Sequence, residues 1–325
     1  MIRLESVTKR YGDRVAVEAL DLEVAEGDVC VLVGPSGCGK TTTLKMVNRL
    51  VEPTSGRVLI GGDDVTKVDP VELRRRVGYV IQNVGLFPHL TVGDNVATVP
   101  RLLGWDRSRV RRRTDELLEL VGLAPGEFHG RYPHQLSGGQ RQRVGVARAL
   151  GADPPVLLMD EPFGAVDPIN RARLQSEFRR LQGVVAKTVV FVTHDVDEAV
   201  KVGDRIAVLG DHGRLQQHDT PAAVLGRPAS RFVADFVGAD RGLKRLSVVP
   251  ITSVALEPTG DRAGPGGATV DRSSSLYDAL AAMLASSTNV ITVVDGQTVC
   301  GVIRLETLGE LLDRSQPVPG SSEQG

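Results

Sequence analysis

The chain has 325 residues, of which 41% are hydrophobic, 24% charged and 4% aromatic, so we expect a globular core built mostly from aliphatic side chains. The length is enough for one large domain and one small one. The formal net charge of −1 argues against a protein that binds nucleic acid over its whole surface. Three widely spaced cysteines are too few for a fold stabilised by disulfides.

The first predicted elements are a hairpin and a buried strand. Gly12-Asp13 favours a tight turn after Tyr11, and hence an antiparallel pair of strands. Val29–Val33 is a continuous apolar run, which is typical of a strand buried on both faces of a parallel sheet. Residues 41–50 follow at helical spacing. This order predicts a strand, a turn and a helix in succession.

The turn between that strand and that helix matches the phosphate-binding pattern G-x-x-x-x-G-K-[ST] in full. Backbone N–H groups and the helix N-terminus suit phosphate oxygens. Lys40 is expected to reach the β- and γ-phosphates, and Thr41 to supply a hydroxyl to Mg²⁺. The predicted nucleotide-binding loop comprises Gly34, Pro35, Ser36, Gly37, Cys38, Gly39, Lys40, Thr41 and Thr42.

A mostly helical stretch is predicted from residue 92 to residue 149, and we interpret it as a subdomain inserted into an α/β core. Within it the segment Leu136–Gln140 precedes a helix. Ser137, Gly138 and Gly139 would offer a hydroxyl and free N–H groups at the start of that helix, which is a second anion site. Because this site has no lysine of its own, the sequence suggests a phosphate ligand shared between two copies of the chain.

Two later apolar runs end in polar residues, at the strand ends where ligands bind in parallel sheets. Val156–Met159 ends in Asp160 and Glu161, and Thr188–Val192 is followed closely by His194. We expect Asp160 to hold Mg²⁺, directly or through water, and Glu161 to take a proton from an attacking water. The alternatives are an exposed acidic strand end and an ordinary histidine at a strand end.

The composition changes near residue 240, and a small α+β domain is predicted beyond that point. A Pro/Gly-rich range predicts a loop or linker. The expected features are a leading strand at Val248–Ala255, the linker at 258–268, a helix at 275–285, strands at 290–294 and 299–303, a helix at 305–312 and a disordered tail from residue 315.

The order and the amino-acid sequences of these segments resemble those of the ATP-binding cassette (ABC) ATPases over about the first 235 residues. In that family two cassettes enclose two ATP molecules, each between the phosphate-binding loop of one copy and the signature segment, here Leu136–Gln140, of the other. By position, the resemblance implies that Gln82 senses Mg²⁺ and the attacking water and that Glu161 is the catalytic base. It also implies that His194 contacts the γ-phosphate and that Asp167 communicates across the dimer.

The same resemblance implies that the Tyr11 ring stacks on adenine. The alternative is that Tyr11 is an ordinary tyrosine of the core or of a sheet edge. The resemblance therefore implies ATP and Mg²⁺ as cofactors. The remaining expected nucleotide contacts are Ser137, Gly138, Gly139, Gln140, Asp160 and Asp167, and the expected Mg²⁺ ligands are Thr41, Gln82 and Asp160.

The implied fold class is α/β, a P-loop NTPase ABC cassette with a mostly parallel sheet, an N-terminal antiparallel β-subdomain and an inserted helical subdomain. A small C-terminal α+β domain follows, which resembles a single CBS (cystathionine β-synthase) motif. The expected limits are 1–240 for the ATPase domain, about 92–149 for the helical subdomain, 241–268 for the linker, 269–314 for the CBS-like motif and 315–325 for the tail.

A lone CBS-like motif is expected to pair with the same motif of a second copy. Its last strand and turn, Gly301–Thr307, depart from the pattern G-x-I-[ST]-x-x-D of nucleotide-binding CBS motifs at both the hydroxyl and the acid. We therefore do not expect it to bind a nucleotide, and dimerisation and ionic-strength sensing are both left open.

A closer resemblance is to the ATPases of importers for glycine betaine, choline, carnitine or proline betaine, and it is carried by residues 79–82, 85–89, 99–105, 167–171 and 174–178. The resemblance implies uptake of such osmolytes through a separate membrane permease, with a second copy of the chain and, indirectly, a solute-binding protein as partners. No apolar run reaches the roughly 18 residues of a membrane span, so we expect the chain at the cytoplasmic face of the membrane. An importer ATPase for a polyamine, sugar or amino acid, and a non-transport ABC ATPase, are the alternatives.

Overall fold

The computed structural model of the chain describes residues 1–82, 85–164, 166–258 and 268–313. Contacts within the chain divide it into two compact units, Met1–His218 and Asp219–Gly325. Within the described ranges, no helix combines the length and the apolar composition that crossing a bilayer requires.

Among its described residues, ten strands begin in the first unit and form two sheets. In chain order they are β1 (Ile2–Tyr11), β2 (Arg14–Val24), β3 (Val29–Val33), β4 (Ser55–Ile60), β5 (Asp63–Asp64), β6 (Val77–Val80), β7 (Val156–Asp160), β8 (Thr188–Val192), β9 (Arg205–Leu209) and β10 (Leu215–Asp219).

The helices of the first unit lie between these strands. They are α1 (Lys40–Val47), α2 (Pro70–Arg75), α3 (Val92–Val96), α4 (Thr98–Leu102), α5 (Arg107–Leu120), α6 (Pro125–Phe128), α7 (Gly138–Leu150), α8 (Pro168–Val185) and α9 (Val196–Val202). The five from α3 to α7 fill the stretch between β6 and β7, where the sequence predicts an inserted helical subdomain, and α7 packs on α3, α5 and β6.

The smaller sheet of the first unit is antiparallel, in the order β2-β1-β4-β5. The hairpin of β1 and β2 turns at Gly12, whose φ is +58°, as the Gly12-Asp13 dipeptide predicts. Alternate β1 residues such as Ile2 and Leu4 are buried, because one face of this sheet covers the core.

The larger sheet has the order β10-β9-β3-β8-β7-β6, and β3, β6, β7, β8 and β9 pair in parallel. Every residue of β3, β7 and β8 is buried, as expected for strands covered on both faces. Because parallel strands end at the same edge, this order brings together the residues that follow β3, β7 and β8. The mostly parallel sheet and the antiparallel subdomain predicted from the sequence are both present.

A cluster of aromatic rings holds the chain after β7 against the sheet. The ring centroid of Phe191, on β8, lies 5.8 Å from that of Phe163 and 5.9 Å from that of Phe178. All three side chains are buried, and tilted aromatic pairs at such distances add to the free energy of burial. The cluster therefore packs Phe163, two residues after Glu161, against β8.

The second unit contains five helices and a three-stranded sheet in its described residues. These are α10 (Pro221–Gly226), α11 (Arg231–Val237), α12 (Arg241–Val248), β11 (Thr269–Asp271), α13 (Leu276–Ala285), β12 (Val290–Asp295), β13 (Thr298–Arg304) and α14 (Leu305–Asp313). In the sheet β12 is central, parallel to β11 and antiparallel to β13. The helix, two strands and final helix thus have the predicted order.

The prediction of a strand at Val248–Ala255 is wrong. The structure has the end of α12 at Val248 and a single 3₁₀ turn at Ile251–Ser253, and the strand beside β12 is β11. Pro250 has no N–H for a strand ladder, and Ile251 is buried in the core of the second unit. The segment is therefore apolar in sequence although it is not a strand of the sheet.

The beginning of the second unit also differs from the expected limits. The helix α12 occupies the first eight residues of the expected linker 241–268, whose residues 259–267 lie outside the described ones. Since α12 packs on both α10 and α13, the division of the chain falls after His218 and not near residue 240. The tail expected from residue 315 also lies outside the described residues.

Candidate functional site

The predicted phosphate-binding loop connects β3 to α1 and is closely packed against its neighbours. A Cβ atom on Gly34 would lie 2.2 Å from the carbonyl oxygen of Leu209, and one on Gly39 would lie 2.5 Å from that of Ala16. Both glycines also have positive φ, of +154° and +108°. Only glycine fits these two positions, so the motif's glycines have a steric cause in the structure.

The ammonium group of Lys40 lies inside the loop. Its Nζ donates hydrogen bonds to the carbonyl oxygens of Gly34 at 2.8 Å and Pro35 at 2.9 Å, and lies 3.8 Å from Sγ of Cys38. The residue is only 6% exposed. Both of these acceptors are neutral carbonyl oxygens, and an ammonium group has three donors, so Lys40 can also donate to an anion in the loop.

Thr41 and Asp160 meet at the base of the loop, although 119 positions separate them in the sequence. The Thr41 hydroxyl donates to Oδ1 of Asp160 at 3.0 Å. Burial raises the pKa of the Asp160 carboxyl above its usual range, and the Thr41 hydrogen bond partly offsets this effect. The hydroxyl and carboxylate oxygens are hard donors of the kind that Mg²⁺ prefers, so this pair fits the predicted ligand set.

Glu161 lies beside that pair and is held by two side chains from distant segments. Its Oε2 accepts a hydrogen bond from Nε2 of Gln82 at 3.0 Å, and its Oε1 lies 3.2 Å from Nδ1 of His194. An ionised carboxylate can only accept, so the imidazole donates from Nδ1 whenever Glu161 is ionised. The structure thus brings together the three residues predicted as catalytic.

The backbone at Glu161 has a φ of +44°, which a residue with a side chain rarely adopts. Its N–H donates to the carbonyl oxygen of Val192 at 2.9 Å, and this bond to the neighbouring strand helps to keep the conformation. The change of direction at the end of β7 lets Asp160 face Thr41 while Glu161 faces the adjoining cleft. Local strain of this kind is common in functional sites.

Lys40, Thr41 and Glu161 border an open cleft of about 550 Å³, which we call the loop cleft. Its lining residues are Tyr11, Arg14, Ala16, Ser36, Gly37, Gly39, Lys40, Thr41, Thr42 and Glu161. Tyr11 is 51% exposed, with Nζ of Lys9 at 4.9 Å from its ring centroid. A half-exposed aromatic ring at the border of the cleft is available for stacking, and this is the geometry expected for the predicted contact with adenine.

A second depression, of about 240 Å³, lies at the start of α7 and α8, and we call it the signature cleft. The lining residues are Ser137, Gly138, Gly139, Gln140, Arg143, Val166, Asp167, Asn170, Arg173, Leu174 and Glu177. The structure therefore places all four predicted signature residues and Asp167 in one cleft, apart from the loop cleft.

Ser137 and Asp167 each cap the helix that they precede. Oγ of Ser137 accepts from the N–H of Gln140 at 3.2 Å, and the Gln140 side chain accepts in return from the N–H of Ser137 at 2.9 Å. Asp167 accepts from the N–H and the side-chain amide of Asn170, and these bonds lower the pKa of its carboxyl. Both polar side chains thus have a local structural role that is independent of any ligand.

Several lining residues were not predicted from the sequence. Arg14 and Ala16 belong to β2, and Arg143, Asn170 and Arg173 lie on α7 and α8. Their spacing matches no motif, because they reach the clefts only through tertiary packing. The position of Arg14 directly across the hairpin from Tyr11 is a signal that a strand-pairing argument could have used.

A chelating cluster of other residues is absent: the described ranges hold no group of three or more histidine, cysteine, aspartate or glutamate side chains that could bind a metal ion by themselves. A cation at Thr41 and Asp160 would therefore need further oxygen ligands from a bound phosphate or water, as is usual for Mg²⁺.

Comparison with known proteins gives consistent matches. The family model described as ABC transporter matches residues 17–164. The osmoprotectant import ATP-binding protein OsmV of Salmonella typhimurium is 50% identical over 91% of this chain and 76% of its own length. The glycine betaine/carnitine/choline transport ATP-binding protein OpuCA of Bacillus subtilis is 46% identical over 95% of this chain and 80% of its own length.

A solved structure is similar over about two thirds of the chain. A dimeric ATP-binding cassette in a post-hydrolysis state, bound to ADP and Pi, has a TM-score of 0.60 and 35% sequence identity. The match covers 68% of this chain and 98% of the other. The similarity thus extends over nearly the whole length of that cassette.

Proposed function

The chain belongs to the ABC transporter family of ATP-binding subunits, and from this premise we propose that it hydrolyses ATP to power the import of quaternary ammonium osmolytes. The family resemblance noted from the motifs is thereby confirmed, as is the ABC cassette with its α/β core. The transported solutes on this proposal are those of glycine betaine, carnitine, choline and proline betaine type.

The observation that supports hydrolysis best is the position of Glu161. Its carboxylate is held by Gln82 and His194 at one border of the loop cleft, next to Thr41 and Asp160. On the proposed mechanism Lys40 binds the β- and γ-phosphates, Gln82 orients the attacking water and Glu161 accepts its proton. His194 stabilises the charge that develops on the γ-phosphate.

The proposed metal is Mg²⁺, held by Thr41, Asp160 and Gln82 together with phosphate oxygens. The ion would neutralise charge on the triphosphate as its terminal bond breaks. The contact of 3.0 Å between the Thr41 hydroxyl and Asp160 supports this assignment because it presents two hard oxygen donors side by side.

We infer that a second copy of the chain completes each site. The loop cleft has a lysine but no signature residues, whereas the signature cleft has N–H groups at a helix start and no lysine from a loop. Head-to-tail pairing would place Ser137, Gly138 and Gly139 of one copy against the γ-phosphate held by the other. The dimeric form of the matched cassette supports this pairing.

Transport itself requires subunits that cross the membrane. We propose that the chain docks on a permease at the cytoplasmic face and that a solute-binding protein delivers the osmolyte. The two relatives support the osmolyte assignment because the matches cover more than nine-tenths of this chain and therefore include most of both units. An importer ATPase for another small solute is the alternative.

We further propose that the second unit contains a single CBS-like motif at residues 269–314 that pairs with the same motif of another copy. The order of β11, α13, β12, β13 and α14 supports it, with a parallel first pair and an antiparallel second pair of strands. An adenine nucleotide is not expected to bind there, since Arg304 stands where a hydroxyl is usual and is paired with Glu257 at 2.7 Å.

Replacement of the proposed base tests this function directly. Glu161→Gln removes the proton acceptor and keeps the size of the side chain, so we expect ATP to bind and turnover to fall roughly 10²–10⁴-fold. The same variant should retain ATP and accumulate as a dimer in size-exclusion chromatography with light scattering. Glu127→Gln, which changes an exposed carboxylate paired with Arg131 outside both clefts, is the control. Near-normal turnover of Glu161→Gln would remove it from this role.

A further inference from the structure

Arg14 occupies a place in the loop cleft for which no role has been assigned. In the antiparallel hairpin it is the direct partner of Tyr11, across the two-residue turn of Gly12 and Asp13. Directly paired residues project from the same face of a hairpin with their Cβ atoms about 4.5–5.5 Å apart. Both side chains line the loop cleft, so any ligand that touches Tyr11 also lies within reach of Arg14.

The strand that carries Arg14 runs against the phosphate-binding loop. The carbonyl oxygen of Ala16 is so near Gly39 that it would lie 2.5 Å from an added Cβ. The pairing of β1 and β2 has a register shift at Ala16, so strand alternation alone does not decide which way Arg14 faces. Arg14 and Ala16 nevertheless both line the loop cleft, and two residues of a strand are about 7 Å apart. The long arginine side chain can cover that distance. Its guanidinium group can therefore lie between the Tyr11 ring and the loop.

The guanidinium group of Arg14 is available to bind an anion. Its side chain is exposed, and within the described ranges it has no ion-pair or hydrogen-bond partner. Neighbouring cations are engaged: Lys9 donates to the carbonyl oxygen of Glu52 at 2.8 Å, and Arg214 pairs with Glu18 at 2.9 Å. Arg14 is thus a free cation in a cleft whose other lining cation is Lys40.

We propose that Arg14 binds the α-phosphate of the nucleotide. This inference rests on the proposed ATP-binding function. With the base on Tyr11 and the β- and γ-phosphates on the loop at Lys40, the α-phosphate falls between them, where the Arg14 guanidinium can reach. The planar guanidinium donates two parallel N–H groups to phosphate oxygens, which a lysine cannot do.

Calorimetric titration of the full-length chain with ATP and with ADP tests the proposal. Both nucleotides carry the α-phosphate, so Arg14→Ala should weaken both by the same factor, about tenfold for one charge-assisted contact at a partly exposed site. Arg14→Lys should recover part of the loss, because it keeps the charge without the paired donors. The control is Arg10→Ala, an exposed arginine next to Tyr11 that is not part of the cleft, and it should bind both nucleotides normally.

Unchanged ATP and ADP affinity in Arg14→Ala would overturn the inference while leaving the proposed function intact, provided that the unaltered chain binds ATP. A loss confined to ATP would also overturn it, because it would place the contact on the γ-phosphate. A changed preference for ATP over GTP would do the same by placing the contact on the base. Failure of the unaltered chain to bind ATP would instead refute the proposed function. Equal melting temperatures of the variants would show that folding is not the cause.

Discussion

The loop cleft and the signature cleft differ in what their polar groups do within a single chain. In the loop cleft Thr41 and Asp160 bond to each other, and Lys40 lies buried among loop carbonyls. In the signature cleft the side chains of Ser137 and Asp167 cap their own helices. Within one chain the Lys40 ammonium and the pair of Thr41 and Asp160, which we propose bind phosphate and Mg²⁺, are therefore already in place. The signature cleft offers the start of a helix, which on the proposed function contacts a nucleotide only when a second copy presents one.

Removal of the Lys40 ammonium is expected to have the largest effect on binding and to act on the loop cleft only. Lys40→Ala deletes a buried charge that would make charge-assisted contacts with two phosphates, so ATP affinity should fall roughly 10²-fold. Titration calorimetry measures the loss. Lys67→Ala, whose side chain is 80% exposed, is the control. Unchanged affinity in Lys40→Ala would show that the loop does not hold the phosphates.

Ser137→Ala is expected to have a smaller effect that sharpens the comparison. It removes a helix cap worth about 1 kcal/mol of stability and also the hydroxyl proposed to contact the partner's nucleotide. Turnover should fall about tenfold, while ATP affinity of the monomer stays unchanged. ATPase assays and calorimetry measure the two quantities.

The chain provides a matched control for that variant. Ser275 caps α13 in the second unit with the same reciprocal pattern, its partner being Asp278. Ser275→Ala should lose comparable stability on chemical denaturation and keep normal turnover in the isolated subunit. Equal turnover losses in the two variants would mean that capping, and not contact with nucleotide, explains the effect of Ser137.

Of these variants, Asp160→Asn should change the free energy of unfolding least. It tests whether the buried charge of Asp160 destabilises the folded chain. Because burial raises the folded-state pKa of Asp160 above its unfolded value near 3.9, its neutral form is favoured by folding. That stability is present below the unfolded pKa and is lost as the pH rises through the folded pKa. At pH 7 the charge is therefore a net cost.

The asparagine variant keeps an acceptor for Thr41 without this charge. Its free energy of unfolding at pH 7 should equal or exceed that of the unaltered chain by up to about 1 kcal/mol, with ATP hydrolysis lost. Urea unfolding at pH 7 and at pH 5 measures the difference. A clear loss of stability at pH 7 would show that the ionised carboxylate supports the fold.

Much of the loop cleft could be predicted because its signals are local in sequence. The strand, glycine-rich turn and helix around Lys40 are contiguous, and Asp160 and His194 follow apolar runs whose parallel pairing brings their ends together. The sequence could not provide the contact between Gln82 and Glu161, which spans 79 positions and depends on the path of the chain after β6. The roles of all these residues in catalysis stay predictions.

The errors also have physical causes. The apolar residues from Val248 to Ala255 have the composition of a strand, but Pro250 lacks an N–H for a strand ladder and Ile251 is buried in the core of the second unit without pairing in its sheet. Arg14 belongs to no motif, since its relevance comes from strand pairing with Tyr11 and from the close approach of Ala16 to Gly39. Sequence patterns predict whether a residue is buried in a strand or helix, but they do not predict which distant residues it meets across a cleft.

The central claim is that one ATP is bound by the loop cleft of one copy and the signature cleft of another. Mixing two inactive variants, Lys40→Ala and Ser137→Arg, tests it most directly with a purified-protein ATPase assay. A mixed dimer would contain one site with both defects and one site with none, so activity should rise well above the sum of the separate variants. Activity that stays at that sum at every mixing ratio would contradict the account.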